Sequence, residues 1–150
     1  MRFFLLYKRS LSMKTLKIFN IIIVILFCLF ACTSKQTSLE VACDQFAGKK
    51  HLIWEIKIQR SESFLLTLCS NPTTGFQWVD PAQISNENII TQTSHNIIPS
   101  EVNVPGSASK EEWIFKPLNK GKSTLALEYS RPWEGGEKRE WSLTVFVDVD

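Results

Sequence analysis

The chain has 150 residues, 44% of them hydrophobic and 21% charged, with a formal net charge of +2. Residues 1–31 hold five of the 17 Lys and Arg and none of the 15 Asp and Glu, so the chain beyond them carries a net charge of −3. Interspersed signs of that kind exclude a nucleic-acid binder, which requires a basic face, and the remaining stretch is the size of one ordinary domain with a real core.

The first segment in chain order is a leader. "KIFNIIIVILFCLFAC", Lys17 to Cys32, is apolar almost throughout and follows Arg2, Lys8, Arg9 and Lys14 with no acidic residue ahead of it. Its apolar core is shorter than the roughly 20 residues of a bilayer-spanning helix, which points to a signal segment over residues 1–31. Met13, followed by Lys14 and Lys17, offers a start of more ordinary signal length than Met1. The segment ends in Leu29-Phe30-Ala31-Cys32, which resembles a bacterial lipobox, so Cys32 is expected to carry lipid and hold the protein in the bacterial cell envelope. Phe30 is bulkier than is usual there, and an uncleaved membrane anchor is the alternative. Thr33 after the Cys resembles the pattern of lipoproteins sent to an outer membrane.

Residues 32–50 mix small and polar side chains without a sustained period and read as a lipidated N-terminus and tether. Cys43 and Cys69 are the pair left once the leader and Cys32 are set aside. Two readings stay open: a disulfide, which the oxidising envelope allows, or two separate thiols with Cys69 buried in a strand.

From His51 onward the period is that of strands. In "HLIWEIKI" Leu52, Trp54, Ile56 and Ile58 share one face, and "FLLTL" repeats the pattern with Phe64, Leu66 and Leu68. "FQWV" follows a turn, "NIITQT" is a weaker strand, and "EEWIFKP" and "KSTLALEYS" are two more separated by Asn119-Lys120-Gly121. The last strand, "REWSLTVFVDV", aligns Trp141, Leu143, Val145, Val147 and Val149. Helical signals are nearly absent, and short strands at close spacing predict an all-β sandwich or barrel over residues 51–150. Trp54, Trp113 and Trp141 lie in phase with apolar faces and are assigned to the core. Trp133 is not: in "YSRPWEGGEKR", Pro132 and Gly135-Gly136 stop strand pairing, and an exposed loop Trp is what a binding hot spot uses.

The turn in "CSNPTTGFQW" has equally specific chemistry. Pro72 fixes its own φ and drives Asn71 out of the α region, Thr73 and Thr74 are stiff at χ1, and Gly75 is free to close the turn at positive φ. Such a loop is rigid before a partner arrives, which reduces the entropy lost on binding.

"SNPTTGFQW" together with "YSRPWEGG", in an exported all-β chain, resembles the chagasin family of cysteine peptidase inhibitors, over about Lys50 to Val149. The resemblance implies an immunoglobulin-like β-sandwich whose three loops at one end fill the cleft of papain-like cysteine peptidases. Asn71, Pro72, Thr73, Thr74 and Gly75 would form the central loop, with Thr73 nearest the peptidase's catalytic Cys and His. Arg131, Pro132 and Trp133 would form a second loop, with Trp133 on aromatic surface beside the cleft. The third, glycine-rich loop corresponds to "VPGSASKEE", Val104 to Glu112. Gly106 agrees with the family's first glycine, but Ala108 and Ser109 stand where a glycine pair is usual, and positive φ there would strain them and weaken binding.

No enzyme is expected. His51 opens a strand and His95 lies in a polar loop, with no group placed to orient either toward a Thr nucleophile. Two scattered His and two Cys lack metal-ligand spacing, so neither a metal nor a cofactor is implied. The rival reading is an envelope lipoprotein whose sandwich binds another protein without inhibiting a peptidase.

Overall fold

The computed structural model describes residues 35–100, 104 and 107–150, which belong to one compact unit, Ser34–Asp150. The leader, Cys32 and Gly106 lie outside the described residues. The elements are β1 (Gln36–Val41), helix α1 (Cys43–Gly48), β2 (His51–Ile58), β3 (Ser63–Ser70), a 3-10 turn (Pro72–Thr74), β4 (Gln77–Trp78), β5 (Gln83–Ile84), β6 (Ile90–Ile98), β7 (Ser109–Pro117), β8 (Gly121–Ser130) and β9 (Trp141–Val149). One sheet has the order β1-β3-β7-β6. The other runs β2-β9-β8-β4, with β5 also on β8.

The alternating faces read from the sequence meet between these sheets, and the architecture is a β-sandwich. Phe64, Leu66 and Leu68 of β3 and Trp113 and Phe115 of β7 are buried from one side. Leu125, Leu127 and Tyr129 of β8 and Leu143, Val145, Val147 and Val149 of β9 are buried from the other. Each such apolar side chain contributes roughly 1.5–3 kcal/mol by leaving water.

Residues 36–48 are not a tether. β1 pairs in parallel with β3, from Gln36↔Ser63 to Val41↔Leu68, and α1 drives Phe46 fully into the core. The Phe46 ring sits 5.4 Å from Trp78 and 5.1 Å from Trp141, stacked on the latter. The apolar residues that do this, Leu39, Val41 and Phe46, are too few and too unevenly spaced to set up a period. α1 likewise departs from an expectation without helices.

Two more expectations are corrected. Trp54 keeps its predicted phase but is 37% exposed and not in the core: β2 is the edge strand of its sheet, with β9 beside it and no other strand on its outer side among the described residues. His95 lies in a strand and not in a polar loop: β6 continues from Ile90 to Ile98 through a register shift between Gln92 and Ser94. A β-bulge inserts one residue and breaks the two-residue period by which a strand is read.

Candidate functional site: the loop end of the sandwich

Register fixes which loops share an end. Ser70 pairs with Ser109 and Ile98 with Lys110, so the β3–β4 and β6–β7 connections leave side by side. Gln77 pairs with Ser130 and Tyr129 with Trp141, which brings the β8–β9 connection to the same end.

The Asn71–Gly75 turn is organised by its own side chains. Asn71 Oδ1 accepts from the Thr73 backbone N–H (3.2 Å) and from the Thr73 hydroxyl (2.6 Å). The Asn71 carbonyl accepts from the Thr74 N–H (3.1 Å) and hydroxyl (2.7 Å). Gly75 closes the turn at φ +78, with its N–H donating to the Pro72 carbonyl at 3.0 Å. The loop's root is held from the opposite sheet, where the Tyr129 hydroxyl accepts the Asn71 N–H at 2.8 Å. Pro72, Thr73 and Thr74 remain exposed at the tip.

The second loop folds back onto the first. The Arg131 N–H donates to the Glu137 carbonyl at 2.8 Å, and the Gly136 N–H to the Trp133 carbonyl at 3.1 Å. Lys138 Nζ donates to the Arg131 and Trp133 carbonyls. Trp133 is 51% exposed, yet its ring edge lies on Gly75: a Cβ there would come within 2.6 Å of Trp133 Cη2. The Arg131 guanidinium sits 4.5 Å from the centroid of the Phe76 ring and 5.8 Å from that of Trp133, within reach of cation–π attraction. Phe76 in turn stacks on Tyr129 at 5.5 Å. The NPTTG and RPW segments are therefore one interlocked surface.

At the third loop Val104 is exposed, and its carbonyl accepts from the Ser107 N–H (3.1 Å) and hydroxyl (2.7 Å). Ala108 and Ser109 do not adopt positive φ, and Ser109 is already the first residue of β7, so the expected strain is absent. Ser109 is buried, with its hydroxyl donating to the Ser70 carbonyl at 3.1 Å.

Below these loops Cys43 and Cys69 are joined in a disulfide, with Cα atoms 5.2 Å apart. It ties α1 to β3 two residues before Asn71. The Trp78 indole N–H donates to the Cys69 carbonyl at 2.9 Å. Phe76 and Tyr129 were not singled out as site residues in the sequence. Tyr129 shares the apolar phase of Leu125 and Leu127, a signal for burial that says nothing of where its hydroxyl points.

Neither histidine serves a threonine at the tip. His51 Nδ1 is 2.9 Å from the hydroxyl of the buried Ser142, and His95 lies against Glu111 and Asp80. The Thr73 hydroxyl proton is committed to Asn71. Among the described residues the surface offers shape, the half-exposed Trp133 ring and preset backbone.

Residues 57–145 match the family model described as chagasin family peptidase inhibitor I42. The chain is 28% identical over 129 residues to Amoebiasin-2 of Entamoeba histolytica, which covers 83% of this chain and 96% of that protein. It matches the crystal structure of the cysteine protease inhibitor EhICP2 from Entamoeba histolytica with a TM-score of 0.57 and 25% identity, over 77% of this chain and 97% of that one. The fold also matches PbICP-C, solved in complex with falcipain-2, with a TM-score of 0.54 and 16% identity over 77% and 99% of the two chains. With the family model spanning more than half of its length, the chain belongs to the chagasin family of peptidase inhibitors.

Proposed function

We propose that the protein is a reversible inhibitor of papain-like cysteine peptidases and that its loop end plugs their active-site cleft. Asn71–Gly75 is the central element, with Thr73 nearest the catalytic Cys and His. Arg131, Pro132 and Trp133 form a second element, and the Gly106 loop a third. The observation that carries this reading is the seat of Trp133 on Gly75, which makes two loops one pre-formed wedge. Pre-organisation reduces the ordering cost of association, and a half-exposed Trp is the kind of anchor on which interface energy concentrates. The relative solved with falcipain-2 lends support from the same fold. On this reading the chain is not an enzyme.

The test is dose-dependent inhibition of papain, followed with a small peptide substrate. Residual hydrolysis should fall with added protein and return on dilution. Undiminished hydrolysis at saturating protein contradicts the proposal and favours an envelope protein that binds elsewhere.

We also propose that Cys32 is lipidated and anchors the protein in a bacterial envelope, on the strength of the apolar Lys17–Cys32 stretch. Cys32→Ala should release the protein from the membrane fraction or leave it unprocessed. Unchanged fractionation and migration would refute this.

A further inference from the structure

One buried polar cluster lies beneath the loop end and takes no part in the wedge surface. Glu111 is 2% exposed and occupies the core-facing phase of β7, between Ser109 and Trp113. The hydroxyl of Ser70, itself fully buried, donates to Glu111 Oε1 at 2.6 Å. Glu111 Oε2 lies 2.9 Å from His95 Nε2. The His95 ring stacks on Trp113 at 4.5 Å, and its Nδ1 is 3.4 Å from Asp80 Oδ2.

A carboxyl group in a core position loses its hydration, and an apolar side chain would fill the space at no such cost. It is tolerated because both oxygens have partners, and a fully satisfied buried network holds its members in one arrangement. The member with consequences is Ser70. It is the last residue of β3, its carbonyl accepts the Ser109 hydroxyl, and the next residue is Asn71, whose side chain organises the NPTTG turn. The root of that turn is thus gripped from β7 through Ser70 and from β8 through the Tyr129 hydroxyl.

We propose that Glu111 is a positioning residue for inhibition: through Ser70 it holds the root of the Asn71–Gly75 loop in the arrangement that enters a peptidase cleft. The proposal rests on the inhibitor reading above. Loss of the grip lowers the fraction of molecules whose loop is ready to bind, and apparent affinity falls by that fraction.

The test compares Ser70→Ala, Glu111→Leu and Glu111→Gln with the parent by the inhibition constant for papain, the melting temperature, and hydrogen exchange at the Thr74 and Gly75 amides. Ser70→Ala should raise the inhibition constant about tenfold, mainly through slower association, and speed exchange at those two amides, with the melting temperature lowered by several degrees because Glu111 Oε1 is left without its donor in the core. Glu111→Leu should do at least as much. Glu111→Gln should recover most of the inhibition, since its amide oxygen can accept from Ser70 and its NH2 can face His95. If Glu111→Leu fails to fold, Ser70→Ala and Glu111→Gln decide. Inhibition by folded Ser70→Ala within twofold of the parent, with unchanged exchange, overturns the proposal, as does a folded Glu111→Gln no better than Ser70→Ala. A parent that does not inhibit papain contradicts the inhibitor reading alone, and the exchange rates then decide whether Glu111 positions the loop.

Discussion

Gly75 meets two demands at once. Its φ of +78 lies where an L side chain is strained, and the space a Cβ would occupy is taken by Trp133. Gly75→Ala should therefore cost about 1–2 kcal/mol in backbone strain and push Trp133 off its seat, weakening papain inhibition while the sandwich stays folded. Circular dichroism and the inhibition constant together check this; a variant that inhibits like the parent would break the link between the two loops. The contrast between Trp54 and Trp133 belongs to the same scale. Both are partly exposed, but Trp54 stands on the edge strand β2, whereas Trp133 stands on a loop braced by Arg131 and Lys138. Phase along a strand reveals which face a side chain points to. It does not reveal whether a neighbouring strand covers that face.

Among the elements, β1 and α1 are held in place by partners distant in sequence. Phe46 is buried between Trp78 and Trp141, and the Cys43–Cys69 bond closes a separation of 26 residues. Replacing both cysteines by Ser should cost about 3 kcal/mol of stability by freeing the unfolded chain, read as a lower denaturation midpoint. An unchanged midpoint would mean that Phe46 alone holds α1. Glu62 anchors the other end of β1. Its carboxyl is held below the usual glutamate range, chiefly by the Lys35 ammonium at 2.7 Å and then by the Gln59 N–H, with the Thr37 hydroxyl adding to them. A lowered folded value means that this stabilisation is fully present above about pH 4.3 and is lost as pH falls through the folded value. Glu62→Gln should flatten that part of the acid unfolding profile; an unaltered profile would show that the Glu62 contacts add nothing. Strands β3, β7, β8 and β9 were legible because each buries one alternating face, and β2 because its apolar residues alternate even though Trp54 stays exposed. β1 was not, since its apolar residues are sparse, and the end of β6 was hidden by its bulge. The residues proposed for the wedge stand out in the sequence as Pro, Gly and Trp in turn segments and by family resemblance. Tyr129 and Glu111, which hold those turns from below, act through long-range contacts that no local pattern records.

For the folded unit as a whole, the sandwich is a platform, and the surface proposed for inhibition lies at one end of it. The core residues of β3, β7, β8 and β9 lie between the sheets, while Thr73 and Trp133 project beyond them. Damage to the tips should therefore separate from damage to the fold. Inhibition of papain by Trp133→Ala and Thr73→Arg, measured beside the parent at equal folded concentration, tests the central claim most directly. Trp133→Ala should lose about 2 kcal/mol of binding, as truncation of an interface hot spot does, and Thr73→Arg should abolish inhibition because added bulk and charge at the tip cannot enter the cleft, with both melting near the parent. If both variants inhibit as well as the parent, the loop end is not the inhibitory surface and the wedge assignment is wrong.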